Sequence, residues 1–252
     1  MRTVKIREIV IGEGIPKICV PIVEKDESGV LSALEQVILK KPDIIEFRAD
    51  IYEKLSDKDS LVKLLSRVRK LIGDVVLLFT IRTKNEGGNV MLDPDEYVKL
   101  CKCACESGFI DLIDAEAFML EGILEEICDV AHANGVCVVA SNHDFEKTPD
   151  ENEIVNRLLS MKDKGADIAK IAVMPKCEED VIALLDATLK ARKSDDAVPV
   201  ITMSMGRMGQ ISRLTGELFG SAVTFASVGN VSAPGQIPVE EVRNILKVLH
   251  GN

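Results

Sequence analysis

"DENEIVNRLLSMKDKGADIAKIAVMP", residues 150–175, holds one full structural period of the chain. Apolar residues return every three or four positions through Ile154, Leu158 and Met161, the spacing of one helix face, and Gly165 supplies a left-handed C-cap signal. A short aliphatic and β-branched run from Ile168 to Met174 follows, which reads as a buried strand. Within that run stands one lysine, Lys170, although an ammonium is among the groups least willing to leave water.

The same period recurs on both sides. Strand-like runs are "KICVPIV" from Lys17, "IIEFRAD" from Ile44, "VVLLFTIR" from Val75, "FIDLIDAE" from Phe109, "CVVASNHD" from Cys137, "IAKIAVM" from Ile168, "PVITMSM" from Pro199 and "VTFASV" from Val223. Helical patterns separate them, among them "GVLSALEQVILKK", "DSLVKLLSRVRKLIG" and "MLEGILEEICDVAHANG", with further C-cap signals at Gly73 and Asn134-Gly135. The last helix opens near Pro238 and closes at Gly251. Eight strand–helix units predict an α/β chain folded as a parallel (β/α)₈ TIM barrel, one domain over residues 1–252. An open doubly wound sheet would carry a glycine fingerprint after an early strand, and no G-x-G-x-x-G opens a helix here. The leading "TVKIREIVI" reads as a short β-hairpin turning at "GEG" and closing the barrel floor.

Composition narrows the function. The 252 residues suit one barrel, and 46% hydrophobic against 29% charged residues is ordinary for a globular core. With 31 Lys+Arg against 41 Asp+Glu, the chain is a poor general binder of nucleic acid or membrane surfaces. A few buried arginines could still set a local field for a small anionic substrate. The start "MRTVKIREIVIGEG" has no continuous apolar segment, and no run approaches membrane-spanning length, so a soluble cytoplasmic protein with reduced thiols is expected. Of the clustered cysteines in "CKCACE", Cys101 and Cys105 share a helix face and read as small buried hydrophobes; no zinc-like spacing accompanies them, and no metal is expected.

Polar residues on the inner strand faces point to a site. Glu46 and Arg48 stand at i and i+2 on the second strand, with Asp50 in phase. Thr80 and Arg82 follow on the third with Glu86 in the loop after it, Asp114 and Glu116 on the fourth, Ser141 and His143 on the fifth and Lys170 on the sixth. Nearly all lie toward the C-terminal strand ends, the rim where barrel enzymes assemble active sites. Desolvation, with cations such as Arg48 and Arg82 nearby, would favour a neutral Lys170 amine able to form a Schiff base with a ketone. His143, on the neighbouring strand, suits a general acid/base, its tautomer fixed by Glu86 or Asp114. His132 and His250 sit in helix-end patterns and read as surface residues. Arg213, in a short helix after the seventh strand, could clamp a carboxylate. The loop "SVGNVSAPGQIP" after the eighth offers Ser232 and Gln236 but no tandem glycine nest for phosphate, and Met203 and Met205 read as lumen filler.

At these residues the chain resembles the type I 3-dehydroquinate dehydratases of the shikimate pathway. The resemblance runs through "EFRAD" (46–50), "TIRTKNEGG" (80–88), "SNHDFEKTP" (141–149), "GADIAKIAVMP" (165–175), "MSMGRMGQISR" (203–213) and "SAPGQIP" (232–238), in family order. It implies a (β/α)₈ barrel, a homodimer, no metal or organic cofactor, and dehydration of 3-dehydroquinate to 3-dehydroshikimate through a lysine imine. By position it implies Lys170 as the amine that condenses with the C3 ketone and His143 as the base for the C2 proton, oriented or tuned by Glu86. Glu46, Arg48, Arg82, Arg213, Ser232 and Gln236 would hold hydroxyls and the carboxylate. One departure, "DAEA" at 114–117, has Ala115 where such enzymes more often carry a larger aliphatic, on the face turned from the lumen. The nearest other readings are a class I aldolase acting on phosphorylated sugars and a barrel that binds an acid without converting it.

Overall fold

The computed structural model describes residues 2–251. The first two strands, β1 (Val4–Ile6) and β2 (Ile9–Ile11), pair antiparallel as a hairpin. Eight strands follow: β3 (Lys17–Ile22), β4 (Ile44–Arg48), β5 (Val76–Thr80), β6 (Leu112–Glu116), β7 (Cys137–Asp144), β8 (Ile168–Val173), β9 (Val200–Ser204) and β10 (Val223–Ser227). Neighbours from β3 to β9 pair in parallel, and β10 pairs with β3. The ring closes between β9 and β10 through a bridge from Val200 to Ser221, where Ala222 N–H donates to the Val200 carbonyl at 2.8 Å. A two-residue strand, β11 (Ile237–Pro238), adds parallel to β10. The architecture is the (β/α)₈ barrel that the repeated period predicts.

Outside the ring lie α1 (Glu27–Leu39), α2 (Lys58–Ile72), α3 (Pro94–Glu106), α4 (Ile123–Ala133), α5 (Glu151–Asp163) and α6 (Glu178–Lys193), then the short α7 (Gln210–Leu214) and α8 (Gly216–Phe219) and the terminal α9 (Val239–His250). Four of these start on an aspartate whose carboxylate accepts an otherwise unpaired backbone N–H: Asp26, Asp57, Asp93 and Asp150. One set of alternating strand residues (Ile45, Phe47, Leu77, Phe79, Ile113, Ala115, Val138, Ala140) packs against the helices. Cys101 and Cys105 are buried there, and Ala115 faces that layer as alternation requires. The other set (Ile44, Val76, Leu78, Leu112, Val139, Ile168, Ile201) fills the lower lumen. No helix among the described residues is long and apolar enough to cross a membrane.

A recurring device holds the lower rim. The aspartate just before β4, β6 and β8 accepts the N–H of a residue in the preceding strand: Asp43 from Ile18 at 2.7 Å, Asp111 from Leu77 at 2.8 Å and Asp167 from Val138 at 2.7 Å. Each side-chain bond is returned by the backbone, since Asp43, Asp111 and Asp167 N–H groups donate to the carbonyls of the same three residues. This fixes the register of alternate strand pairs at the end remote from the polar rim.

Several boundaries differ from the sequence reading: β5 ends at Thr80, which leaves Arg82 beyond it, β6 starts only at Leu112, and Asp50 lies in a 3₁₀ turn after β4. The hairpin turns at Arg7-Glu8 rather than at "GEG", because Ile6 pairs with Ile9 and Arg7 takes a positive φ of 49°. Its Ile6 and Ile11 then pack with Cys19, Ile44, Val76 and Leu112, closing the floor. The helix expected from Met119 starts only at Ile123, since Gly122 adopts a left-handed conformation at φ 83°.

Candidate active site

Above the apolar floor, the lumen-facing set turns polar at the C-terminal strand ends. Glu46, Arg48, Arg82, Glu86, His143, Lys170, Arg213, Ser232 and Gln236, the nine residues to which the resemblance gives a role, line one cleft with about 500 Å³ of empty space, its open mouth included; Asp50, Asp114, Glu116 and Ser141 stand behind that lining. Thr80, Gly87, Phe145, Ala172, Met203, Met205, Phe225 and Ala233 complete its wall.

Lys170 is 3% exposed, and its Nζ donates to Asp114 Oδ2 at 2.9 Å. The same ammonium lies 4.5 Å from the centroid of the Phe225 ring, within cation–π range. The sequence reading of a cation near Lys170 holds for Arg82, which bonds the other oxygen of Asp114, but it lacks the carboxylate that lies between them. A carboxylate from the strand two places away around the barrel is the immediate partner of Lys170, because β6, β7 and β8 bring Asp114 and Lys170 to the lumen at adjacent rungs.

Arg82 ties the remaining carboxylates together. It donates to Asp114 at 2.5 Å, to Glu116 at 3.1 Å, to Glu86 at 3.2 Å and to Ser141 Oγ at 3.0 Å. Burial lowers its guanidinium, but Asp114, Glu86 and Glu116 overturn that and hold its pKa above the usual value. Burial likewise would raise Asp114, yet Arg82 and Lys170 outweigh it and keep that carboxyl far below the ordinary carboxylate range. Glu116 accepts from Thr83 N–H and Oγ1, each at 2.8 Å, so the turn after β5 is pinned to β6.

That turn delivers Glu86, the last residue of a 3₁₀ segment over Lys84–Glu86, to His143. Glu86 Oε2 stands 2.8 Å from His143 Nδ1 and also accepts the His143 backbone N–H at 3.0 Å. Of the two carboxylates left open by the sequence, Glu86 is the one bonded to the imidazole. An oxygen already accepting from a backbone amide and from Arg82 takes a further donor, so Nδ1 carries the hydrogen and Nε2 is left with its lone pair. Burial drives His143 well below the ordinary imidazole pKa, with Arg82 and Lys170 adding to the effect and Asp114 opposing it. Burial pushes Glu86 up to about 7, against the pull of Arg82.

The other candidates divide by partner. Arg48 is forked onto Asp50 at 2.8 and 2.9 Å, and Thr80 Oγ1 donates to Glu46 at 2.9 Å. Gln236 accepts the Ser232 N–H and donates to Ser232 Oγ, both at 2.9 Å. Arg213, 2% exposed, meets only the Pro234 carbonyl at 3.1 Å and Met203 Sδ at 3.7 Å, and its Nε has no partner. No carboxylate of the described residues pairs with it, and burial lowers its pKa to about 10. His132 and His250 lie outside the site, bonded to Asp167 and Glu217. Sequence reading missed Phe225 and Phe145 as wall residues and Asn142 as a partner of Glu86; alternation places Phe225 in the lumen, but nothing in spacing marks the other two.

The arrangement offers a buried primary amine, an imidazole with a free Nε2 one strand away, and an arginine with no anion of its own. A family model described as "Type I 3-dehydroquinase" matches residues 18–252. The 3-dehydroquinate dehydratase of Bacillus subtilis is 46% identical over 252 residues, covering 100% of this chain and 99% of that one. That of Bacillus velezensis is 49% identical over 250 residues, covering 99% of each. A type I 3-dehydroquinate dehydratase from Clostridium difficile, crystallised with covalent modified comenic acid, superposes with a TM-score of 0.96 at 45% identity, over 99% of this chain and 98% of that one. Sequence and backbone agree along essentially the full length, and the chain belongs to the type I 3-dehydroquinase family.

Proposed function

We propose that the chain dehydrates 3-dehydroquinate to 3-dehydroshikimate through an imine on Lys170, with His143 as general acid/base. The observation that carries this reading is the buried Lys170 amine with the Glu86-bound imidazole on the adjacent strand. Nζ gives up one proton and adds to the C3 carbonyl; the C–N bond forms, and the carbonyl oxygen leaves as water with that proton and one amine hydrogen, giving an iminium. His143 Nε2 takes the C2 proton, and the electron pair moves into the iminium as an enamine. Return of that pair expels the C1 hydroxyl, which leaves as water with the proton from His143. Hydrolysis of the conjugated imine then frees the product and the amine. Summed, one substrate gives one product and one water.

Asp114 supports this sequence electrostatically. It neutralises a cation on that nitrogen whether ammonium or iminium, so no buried charge is stranded when the bond forms. Arg213 supports the anionic substrate class, since a carboxylate would give its guanidinium the counter-ion it lacks within the chain. The relative solved with covalent modified comenic acid is consistent with a nucleophile in such a site. The family's other implications, a homodimer in the cytoplasm acting in the shikimate pathway as one barrel domain, belong to the same proposal.

The test is trapping. Borohydride added with 3-dehydroquinate should leave a stable adduct on Lys170, and Lys170→Ala should abolish formation of the enone absorbance while the fold survives. His143→Ala should form the imine and stall. An adduct on another lysine, or none with turnover intact, overturns the assignment; absence of turnover with 3-dehydroquinate would return the aldolase and binding-barrel readings.

A further inference from the structure

Asn142 stands between Ser141 and His143 on β7, where alternation turns it from the lumen toward the helices. Its neighbours in that phase, Val138 and Ala140, pack in the apolar layer, so a primary amide there is out of pattern. Both of its ends are used. Oδ1 accepts from Arg157 Nη1 on α5 at 2.8 Å, and Nδ2 donates to Glu86 Oε1 at 3.0 Å. A guanidinium can only donate, so Arg157 forces the carbonyl end of the amide toward itself and leaves the NH₂ end for Glu86. A chain of three bonds thus runs from the outer face of the barrel to the imidazole: Arg157, Asn142, Glu86, His143.

We propose that Asn142 and Arg157 are positioning residues that hold the Glu86 carboxylate ionised and in plane, and thereby fix His143 in the tautomer with Nε2 bare. This deepens the dehydratase reading and rests on it for its kinetic consequence. Glu86 Oε2 takes three donors, from Arg82 and from the backbone and ring of His143, whereas Oε1 has the one side-chain donor, Asn142. The other charges around the dyad are Asp114 and Glu116 on β6, Lys170 on β8, Arg48 on β4 and, on α5, Glu153, which pairs with Arg157. The carboxylates of β6 and burial favour protonation of Glu86; Arg82 and the Asn142 bond oppose it. Should Glu86 take up a proton, its O–H can donate to Nδ1, the ring hydrogen moves to Nε2, and the base is lost. With Glu86 raised to about 7, removing one donor shifts the balance within the working pH range.

The test uses the full chain with Asn142→Ala, Arg157→Met, Arg157→Lys and the double variant Asn142→Ala/Arg157→Met. Without substrate, ¹⁵N NMR of the His143 ring should show the Nδ1–H tautomer in the native chain and a mixture in Asn142→Ala and Arg157→Met. With 3-dehydroquinate, the acidic limb of kcat against pH should move up by about 1 pH unit in both, giving roughly a tenfold loss at pH 6.5 and less than about twofold at pH 9, with KM near native. Arg157→Lys keeps a donor and should restore most of the loss. The double variant should be no worse than Asn142→Ala, because Arg157 acts through the amide. Superimposable pH profiles and an unchanged tautomer in melt-verified folded variants, or a loss equal at all pH values, overturn the proposal. If Arg157→Met fails to fold, Asn142→Ala and Arg157→Lys decide the same point. Failure of the native chain to turn over 3-dehydroquinate would instead sink the dehydratase reading, and the NMR arm would still decide the role of the pair.

Discussion

Arg48 places two prongs of its guanidinium on Asp50, while Arg213, similarly buried, meets a carbonyl and a sulfur. The two should respond oppositely to truncation. Arg48→Ala leaves the Asp50 carboxylate without its cation, although Asn89 still donates to it at 3.0 Å, so a stability loss of about 3 kcal/mol is expected by chemical denaturation. Arg213→Ala removes a desolvated charge that nothing in the chain neutralises, so stability should hold or rise while KM for an acidic substrate increases about a hundredfold. Strand alternation made Arg48 legible as a lumen residue, and Arg213 was legible only by its place in a short helix after the seventh strand. Neither signal could reveal which was already neutralised, because Asp50 reaches Arg48 from a 3₁₀ turn and not from a facing strand. The same limit applies to Lys170: the sequence put Asp114 on the lumen face, but only the register of β6, β7 and β8 brings it within 2.9 Å of the amine.

At the scale of elements, the loop after β10 is fastened to the one after β9. Gly206 N–H donates to the Pro234 carbonyl at 3.2 Å, the same oxygen that Arg213 contacts, and Gly235 sits at φ +80° against the Gly206 backbone. A Cβ at Gly235 would come 2.3 Å from the Gly206 carbonyl oxygen, so Gly235→Ala should push the loops apart and release Arg213, Ser232 and Gln236 together. The expected result is a raised KM with kcat less affected and a melting temperature within a few degrees of native, read from kinetics and calorimetry. The strands were the most legible elements, since each is a short aliphatic run between polar turns; the last, β11, has only two residues and carries no such signal. The hairpin was legible as a hairpin but not in its turn. "GEG" is the stronger local punctuation, yet burial of Ile6 and Ile11 on one face decides the register, and Arg7 accepts an uncommon backbone conformation to allow it.

Over the whole molecule, charge is layered: apolar rungs below, and above them a polar tier in which Arg82 gathers Asp114, Glu116 and Glu86. Burial raises the Asp114 carboxyl, but its two cations hold it well below the unfolded value of 3.8, so the unfolded chain binds the proton first. The stability Asp114 contributes is then fully present above about pH 4 and is lost as pH falls further. Urea midpoints measured from pH 3 to 6 should drop steeply at the acid end, and an Asp114→Asn variant, weaker throughout, should show a flatter dependence there. The hairpin under the barrel has a consequence for traffic. Among the described residues, Ile6 and Ile11 stopper the floor, and the polar cavity lies at the opposite rim. On the proposed reading, reactant, water and product share the rim lined by Phe145, Ser232 and Gln236, so a molecule lodged there should slow entry and exit alike.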